Sequence, residues 1–526
     1  MTTIEEMLTA AVTLHQAGKL PEAERIYSEI LRGNPYHAGA LHLLGVLAYQ
    51  SGKGDVAIEY IGRALQYCPN LAEAHNNLGI VLKDMGKLPE AMASYQIALR
   101  IKPDYADAHS NLGIAFKEMG NLAEATASYQ KALQINPNFA EGHNNLGNVL
   151  LANDQLDDAA ARFQTALRLK PNYAETLTNY ANVLQKQGKL HEALACYDQA
   201  LLMKPGYAEA HWNKSLALLL SGNFHQGWAE YEKRWQSKHF HRRPFQQPLW
   251  DGSPLGGRTI LLWAEQGLGD TLHFIRYAPL VQQRGGTVVM ECQPPLLPLL
   301  AQCSGIDRLV AQNSPLPSFD LQVPLLSLPG IFRTDLATIP AQVSYLIADQ
   351  PLVEHWREQL NSYQGFKIGI AWQGNPTHGG DRQRSMPLGQ FAPLAQVPGV
   401  HLLSLQKGHG AEQLRAVADR FTVIDLGSRL DETNGAFMDT AAVMMNLDLI
   451  ITADTATAHL AGALGVPVWV ALPWIPDWRW LLERIDSPWY PSMRLFRQPQ
   501  RGDWADVFNR MAQELKRNGV SQTARS

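Results

Sequence analysis

The chain has 526 residues, of which 46% are hydrophobic and 18% are charged, and its formal net charge is −4 at pH 7. These values describe an ordinary globular protein that is long enough for two or more domains. They argue against a dedicated nucleic-acid binder, which would carry a basic field.

The cysteines and the local hydropathy of the chain indicate the cellular compartment in which the protein is expected. The four cysteines form no CxxC pair, which predicts free thiols in a reducing environment. Residues 2–6 are acidic and amphipathic, unlike a signal peptide. The most apolar stretch, residues 441–472, is interrupted by polar and charged side chains, so it is not expected to span a membrane. We therefore expect a cytoplasmic protein.

The front of the chain repeats with a period of 34 residues. Prolines mark the period at Pro35, Pro69, Pro103, Pro137, Pro171 and Pro205. A Leu-Gly pair, an alanine and a large residue recur in step with them. Small residues let two helices approach, large ones fill the space beside them, and proline ends the second helix. The pattern resembles the tetratricopeptide repeat (TPR), with two antiparallel helices per unit.

Counting back from the prolines places repeats at about 4–37, 38–71, 72–105, 106–139, 140–173 and 174–207. A seventh repeat, about 208–241, keeps Gly222 and Tyr231 but lacks the final proline, as expected for the end of a solenoid. We expect an α-solenoid over residues 1–241. A packed connector rich in aromatic residues and proline should follow over 242–257.

Asparagine recurs at one position of the first helix in five repeats. These residues are Asn77, Asn111, Asn145, Asn179 and Asn213. That helix lines the concave face of a TPR solenoid, and an amide both donates and accepts, so the ladder predicts a groove for a protein or peptide acceptor. Protein O-GlcNAc transferase is similar in carrying such a ladder. The alternative is an asparagine that is common in TPR repeats generally. Exposed repeat ends also allow homo-oligomers.

From Arg258 onward, short apolar runs alternate with helical stretches, which predicts parallel sheets. Strands are predicted at 259–264, 287–291, 367–372, 401–405, 448–452 and 466–471, with a helix from Asp270 to Arg284 after the first. Two such halves predict two Rossmann-like domains, 258–350 and 365–500, that face each other over a cleft. A C-terminal helix, about Trp504–Arg517, and a tail complete residues 501–526.

Two strand–turn–helix segments carry the polar residues of interest. The first is Gln266-Gly-Leu-Gly-Asp-Thr-Leu-His273, and the second is Asp454-Thr-Ala-Thr-Ala-His459. Helix starts offer free N–H groups, and Thr455 and Thr457 add hydroxyls suited to a diphosphate. For the carboxylates and Thr455 the alternative is helix capping, and for the histidines it is packing.

As a pair, the two segments resemble the signatures of glycosyltransferase family 9, the heptosyltransferase-like enzymes of GT-B fold. The resemblance covers roughly residues 256–517, and Ala456 replaces the family's usual glycine. A TPR array joined to a GT-B domain is also similar to the architecture of protein O-GlcNAc transferase and of TPR-bearing flagellin glycosyltransferases. The resemblance implies inverting transfer, with Asp270 as general base and His273 as its partner or substitute.

The leaving nucleoside diphosphate needs charge stabilisation. The second half has no plausible Asp-x-Asp metal motif, so we expect cations and helix ends to serve and no metal cofactor. Further donor-binding candidates, beside Asp454, Thr455, Thr457 and His459, are Gln373, Asn375, Arg382, Arg384, Gln406, Lys407 and Arg479. For the basic residues the alternative is a solvated surface charge, and for the aromatic clusters near Arg479 it is interdomain packing.

Three hypotheses remain open. The first is a glycosyltransferase that moves sugar from a nucleotide-sugar to a protein acceptor held by the TPR array. The second is a glycan or lipid-oligosaccharide glycosyltransferase whose repeats recruit other enzymes. The third is a TPR scaffold with an inactive GT-B module.

Overall fold

The computed structural model describes residues 3–237, 239–377 and 379–517. By its internal contacts the chain divides into two compact units, Met1–Pro205 and Gly206–Ser526. Within the described ranges, no helix is both long and apolar enough to cross a membrane.

The first unit is a helical solenoid of six antiparallel helix pairs. Its helices are α1 (Ile4–Gln16), α2 (Leu20–Gly33), α3 (Ala38–Gln50), α4 (Gly54–Tyr67), α5 (Ala72–Asp84), α6 (Leu88–Ile101), α7 (Ala106–Glu118), α8 (Leu122–Ile135), α9 (Ala140–Ala152), α10 (Leu156–Leu169), α11 (Ala174–Lys186) and α12 (Leu190–Met203). The predicted repeat starts are confirmed to the residue. Each marker proline lies two residues beyond the end of a second helix, because proline cannot continue the hydrogen-bond ladder.

Small and large residues meet between the two helices of a repeat, as predicted. A Cβ on Gly113 would lie 2.7 Å from the ring of Tyr129, and a Cβ on Gly147 would lie 2.6 Å from the ring of Phe163. Both aromatic rings are buried. The glycines therefore allow helix contact at a distance that no other residue permits without repacking.

We expect Gly113→Ala to lower the free energy of unfolding by about 1–2 kcal/mol, since overpacking outweighs the gain in helix propensity. Gly62→Ala is the matched control. Gly62 is also helical, but a Cβ there would meet nothing within 4 Å, so the change should stabilise by about 0.5–1 kcal/mol. Urea denaturation followed by far-UV circular dichroism measures both. Equal effects of the two changes would contradict the packing argument.

The second unit begins with one more helix pair, α13 (Ala208–Leu220) and α14 (Phe224–Tyr231), followed by a 3₁₀ turn at Glu232–Gln236. Ten strands follow among the residues that the structure describes: β1 (Thr259–Trp263), β2 (Thr287–Cys292), β3 (Arg308–Ala311), β4 (Leu321–Pro324), β5 (Phe366–Ala371), β6 (Val400–Ser404), β7 (Ile424–Asp425), β8 (Leu449–Ala453), β9 (Val468–Leu472) and β10 (Met493–Arg497).

The remaining helices of the second unit are mostly short. They are α15 (Leu268–Phe274), α16 (Ala278–Gln282), α17 (Leu297–Leu300), α18 (Leu328–Ile331), α19 (Gln350–Leu360), α20 (Asp381–Arg384), α21 (Ala392–Ala395), α22 (Gln413–Val417), α23 (Met438–Met444), α24 (Ala456–Leu464) and α25 (Trp504–Arg517). The final helix has the predicted bounds and packs its apolar face into the core beside β5 and β8.

The strands form two wholly parallel sheets. The first has the order β3-β2-β1-β4 and the second has the order β10-β9-β8-β5-β6-β7. Read from β7, the second order is that of Rossmann folds, in which ligands bind at the carboxyl ends of the strands where the order reverses. That point lies between β5 and β8 in the second sheet and between β1 and β4 in the first.

Several sequence predictions need correction. The helix predicted from Asp270 to Arg284 is instead α15, a 3₁₀ turn and α16, because Pro279 follows so soon. The strands β3, β4, β7 and β10 were not predicted, since they are short or lie in polar and aromatic sequence. The seventh helix pair forms within its predicted range, and by its contacts it belongs to the second unit.

Candidate functional site

The two segments singled out in the sequence meet inside the second unit. Helix α15 follows β1 and helix α24 follows β8, so each lies at a carboxyl end beside the point where its strand order reverses. A Cβ on Gly269 would lie 3.4 Å from the Cα of Ala456 and 3.2 Å from the Cδ2 of His459. Glycine at position 269 therefore lets the two helix starts come together.

Asp270 caps a helix, which is one of its two predicted roles, and it also forms an ion pair. Its Oδ2 accepts a hydrogen bond of 3.0 Å from the backbone N–H of Gly267, which caps α15. Its Oδ1 accepts a 2.5 Å hydrogen bond from Nη2 of Arg479, a residue of the second α/β half. The side chain of Asp270 is 22% exposed, so the carboxylate lies at the edge of the site.

Arg479 joins two carboxylates. Besides Asp270, it donates from Nη1 to Oδ1 of Asp477 at 2.9 Å. Its guanidinium also lies over the ring of Trp478, 4.5 Å from the centroid. Burial lowers the pKa of Arg479, but Asp477 and Asp270 outweigh it and raise the pKa overall, so the group stays charged. Its buried Nε has no hydrogen-bond partner among the described residues.

Two histidines share one tyrosine hydroxyl. The Oη of Tyr490 lies 2.8 Å from Nδ1 of His273 and 2.9 Å from Nδ1 of His459. All three side chains are buried. Burial and Arg276 lower the pKa of His273 well below its ordinary value, and burial and Arg479 do the same for the pKa of His459. Both imidazoles are therefore neutral at neutral pH.

The start of α24 has no side-chain cap. Thr455 occupies the N-cap position in an extended conformation, but its side chain makes no capping hydrogen bond. The capping alternative for Thr455 is thus wrong. The neighbouring Asp454 is buried, and burial followed by the charge of Asp477 raises its pKa to about 6. Thr457 is half-buried in the first turn of the same helix.

The raised pKa of Asp454 predicts a pH-dependent stability. The folded-state pKa of about 6 exceeds the ordinary value of 3.8, so the folded state loses stability as pH rises from about 4 to about 6. We expect Asp454→Asn to stabilise the protein by on the order of 2–3 kcal/mol at pH 7.5 and by little at pH 4. Thermal melts at both pH values measure this, with the exposed Asp251→Asn as control. An equal effect of Asp454→Asn at both pH values would contradict it.

The loops after β5 and β6 are held together by Gln406. Its Oε1 accepts from the backbone N–H groups of Trp372 and Gln373, both at 3.0 Å. Its Nε2 donates to the carbonyl oxygens of Gln373 at 3.0 Å and His409 at 2.8 Å. Direct contact of Gln406 with a nucleotide-sugar would require these hydrogen bonds to be broken. In the structure this amide therefore positions the two loops.

Lys407, predicted to contact phosphate, is engaged with its own half of the unit. Its Nζ donates to the carbonyl oxygen of Leu430 and lies 2.9 Å from Oε1 of Glu432. The side chain is 36% exposed. Its described contacts do not include Asp270 or Arg479. Binding of a nucleotide-sugar phosphate by Lys407 stays a prediction.

The remaining candidates follow β5. Arg384 donates from Nε to Oδ1 of Asp381 at 3.2 Å. Its positive charge partly offsets the rise in the pKa of Asp454, so Arg384 lies near the start of α24. Asn375 is exposed and accepts from Thr377, which forms a local turn. Gln373 accepts from Gln413 at 3.2 Å, and Arg382 is exposed. Within the described ranges, no group of three or more His, Cys, Asp or Glu side chains could hold a metal ion.

Sequence reasoning missed the contacts that α14 and the following 3₁₀ turn make with the α/β part of the second unit. Arg234 is fully buried and forms a two-point ion pair with Glu265, with N–O distances of 2.8 and 3.0 Å. Gln266 donates from Nε2 to Oη of Tyr231 at 3.1 Å. The rings of Trp228 and Trp478 meet edge to face at 5.3 Å. No local sequence pattern predicts these contacts, because the two residues of each pair are distant from each other in sequence.

The asparagine ladder is partly structural. In the first unit, Nδ2 of Asn111 donates to Asn76 at 2.9 Å, and Nδ2 of Asn179 donates to Asn144 at 3.1 Å, one repeat earlier in each case. Asn77 bonds to His42 in the same way. The side chains of Asn145, in the first unit, and Asn213, in the second, form no hydrogen bond with the described residues and are half-buried. Asn77, Asn111 and Asn179 thus each form a hydrogen bond to the preceding repeat, and a role of the ladder in peptide binding stays a prediction.

Several solved structures are similar to part of this chain. The pilF protein of Pseudomonas aeruginosa is 19% identical over 40% of this chain and 96% of its own, with a TM-score of 0.37. YrrB, described as a TPR protein with an unusual peptide-binding site, is 22% identical over 36% and 98%, with a TM-score of 0.30. A thermophilic TPR protein of Thermus thermophilus, TTC0263, is 26% identical over 35% and 99%, with a TM-score of 0.31.

Among curated proteins, Protein FlbA of Caulobacter vibrioides is 27% identical over 314 residues, which cover 54% of this chain and 51% of FlbA. The chain thus spans about half the length of this relative. The family described as TPR repeat matches residues 81–120 and 115–154, and families described as tetratricopeptide repeat match residues 138–203, 8–74 and 178–235. The first 235 residues of this chain therefore contain tetratricopeptide repeats.

Proposed function

We propose that this protein is a glycosyltransferase of GT-B architecture that moves a sugar from a nucleotide-sugar to a protein acceptor bound by its TPR repeats. One observation carries the proposal. The two segments that resemble the family 9 signatures are far apart in sequence, yet Gly269 of the first lies against Ala456 and His459 of the second. The hydroxyl of Tyr490 also lies between His273 and His459.

Strand order supports a nucleotide site. The loops after β5 and β8 flank the point at which the Rossmann order of the second sheet reverses, where nucleotides bind in such sheets. Helix α24 begins there without a side-chain cap, and the N–H groups of a helix start favour phosphate. Arg479 supplies a buried, permanent positive charge. These groups would bind the diphosphate.

The proposed reaction is one displacement. Asp270 accepts the proton of the acceptor hydroxyl while that oxygen forms a bond to the anomeric carbon. The bond from this carbon to the phosphate oxygen breaks, and its electron pair leaves with the nucleoside diphosphate. Because Arg479 pairs with Asp270, a diphosphate that draws this guanidinium away would leave the carboxylate available as base.

A thermal-shift screen without added metal tests the donor site. The probes are UDP, GDP, ADP, CMP, TDP and their common sugar conjugates. A ligand at 100 times its Kd that binds only the folded state adds about 2.7 kcal/mol of stability. We expect one nucleotide family to raise the melting temperature clearly. If none of the nucleotides raises the melting temperature of the folded protein, the result contradicts the proposal and favours a scaffold with an inactive α/β module.

Asn145 gives the most direct test of acceptor binding in the groove. Among the described residues, its side-chain amide forms no hydrogen bond to a neighbouring repeat. Asn145→Ala should raise the KM for a protein acceptor and leave donor binding unchanged. Asn179→Ala is the matched control, since it removes the bond to Asn144 and should act mainly on stability. An Asn145→Ala enzyme with wild-type KM for protein acceptors would contradict recruitment through this ladder.

A further inference from the structure

We propose that helices α9 and α11 of the first unit bind an extended peptide segment by its main chain, and that Lys186 selects an acidic side chain at one position of that segment. The binding of the segment stands on the first unit alone. That the segment belongs to the acceptor of sugar transfer rests on the proposed function.

Helix α11 presents one polar stripe. Its residues Glu175, Asn179, Asn182 and Lys186 follow the spacing i, i+4, i+7 and i+11, so they lie on one face of the helix. All four side chains are exposed or half-buried. The buried residues of α11 lie on its other sides: Thr176, Leu177, Thr178, Ala181, Val183 and Leu184. The stripe is therefore the part of α11 that can contact a ligand.

A second column of amides runs beside the asparagine ladder in the last two repeats of the first unit. Asn145 and Asn148 lie on one face of α9, as Asn179 and Asn182 do on α11. The two faces are neighbours, because α9 and α11 are in contact and Asn179 donates to Asn144. In the first four repeats, the position of Asn148 is apolar: Val12, Val46, Ile80 and Ile114.

The four amides suit the main chain of an extended segment. An amide side chain both donates and accepts, as a peptide unit does, so each can pair with the N–H and C=O groups of a bound chain. The amide of Asn148, like that of Asn145, forms no hydrogen bond with the described residues. In Asn182 the oxygen accepts from Tyr197 at 2.5 Å, and Nδ2 stays available. These contacts hold a segment without selecting its side chains.

Lys186 adds the selection, because its charge has no counter-ion among the described residues. The side chain is half-buried and forms no hydrogen bond or ion pair there. Burial lowers the pKa of Lys186, as expected for a cation that is partly removed from water. By contrast, Lys83 of α5 lies 2.8 Å from the carboxylate of Asp84. A carboxylate on the bound segment would compensate the charge of Lys186.

The charges along the array restrict this selection to one place. Eleven residues separate Lys186 from Glu175 at the other end of the stripe, which is about 16 Å along the helix axis. This distance exceeds the screening length of about 8 Å at physiological salt. An acidic side chain is attracted at Lys186 and repelled at the same position of the third and fourth repeats. The other repeats of the first unit have Gln16, Gln50, Asp84, Glu118 and Ala152 there.

A structural role for Lys186 makes a different prediction. Lysine in the last turn of a helix interacts with the terminal carbonyl groups, and its aliphatic stem covers apolar surface. Such a role would affect the stability of the array, but it would not let the protein distinguish an acidic peptide from a neutral peptide of the same shape.

Fluorescence anisotropy of the full-length protein with two labelled peptides tests the proposal. One peptide is a repeated Ala-Ser-Asp unit and the other is a repeated Ala-Ser-Asn unit of equal length, so either can place its third residue beside Lys186. We expect the wild type to bind the Asp peptide about tenfold more tightly, as for a hydrogen bond between charged groups. Equal affinities, or binding of neither peptide, would overturn the proposal without any variant.

Two substitutions separate selection from main-chain binding. Lys186→Met should weaken binding of the Asp peptide about tenfold and leave the Asn peptide unchanged. Asn148→Ala should weaken both peptides by the same factor. Lys189→Met is the matched control, since Lys189 is exposed, lies three residues further on and loses the same charge, yet should keep the preference.

A preference for the Asp peptide that survives Lys186→Met, or that is lost equally in Lys189→Met, would overturn the assignment of Lys186. An effect of Asn148→Ala on one peptide alone would overturn main-chain binding by the amides. If the preference is present but no nucleotide binds the wild type, the proposed function fails and the peptide site stands.

Discussion

Asp270→Asn is expected to lower the rate of sugar transfer by a factor of about 10²–10⁴, the usual contribution of a general base. The asparagine amide keeps the shape of the carboxylate and an oxygen for the Gly267 cap, but it cannot take the acceptor proton. Since Arg479 loses one of its two carboxylate partners, nucleoside diphosphate binding should persist or tighten. Single-turnover rates and nucleotide affinities of the two proteins, measured side by side, separate these effects.

Asp477→Asn is the matched control for this change. It removes the other carboxylate paired with Arg479, at 2.9 Å, with the same change of charge. It should tighten nucleotide binding in a similar way but keep most of the rate. Transfer by Asp270→Asn at the wild-type rate would remove Asp270 as the base. His273 would not replace it readily, because burial keeps that ring in the protein interior.

Arg234→Met is expected to destabilise the second unit by about 3–5 kcal/mol, since it leaves the carboxylate of Glu265 buried without its counter-ion. Because an apolar pair of similar volume fills such a site without charge, the double change Arg234→Met with Glu265→Leu should recover most of the loss. All 13 tryptophans lie after residue 205. Tryptophan fluorescence during urea denaturation therefore reports on this unit alone.

Arg484→Met supplies the comparison for an exposed pair. Arg484 and Asp486 form an ion pair with 35% and 63% of their side chains exposed, so its loss should cost at most about 1 kcal/mol. The effect of Arg234→Met should also be visible locally, as faster hydrogen exchange over residues 265–270 in the protein that remains folded. Equal costs for the two arginine changes would contradict the assignment of a buried, site-supporting pair.

The repeat array was predictable because its information is local. The 34-residue period, the marker prolines and the small–large pairs act within one or two helices, so the repeat starts agree to the residue. The strands β1, β2, β5, β6, β8 and β9 were predictable for the same reason, since buried parallel strands appear as short apolar runs. The strand β7 has two residues and leaves no such signal.

The partners within the site could not be predicted in the same way. The sequence indicates that Asp270 and His273 belong to one segment and His459 to another, but not that Tyr490 bonds to both histidines. Gln406 looks like a free polar residue after a strand until its four backbone bonds are seen. Such contacts are set by tertiary packing between residues that are distant in sequence, and no periodicity reports them.

The uniformity of the helix pairs in the first unit has a consequence for how the array melts and how it changes in length. Each pair packs on the pair before and after it, through the contacts α2–α3, α4–α5, α6–α7, α8–α9 and α10–α11. Stability in such an array is a sum of nearest-neighbour terms, so fraying from an end can precede loss of the middle and one melting temperature does not describe it. Excising one whole 34-residue unit rejoins two matching surfaces, and the array can therefore shorten or lengthen in whole steps while the two parallel sheets after residue 205 keep their sequence.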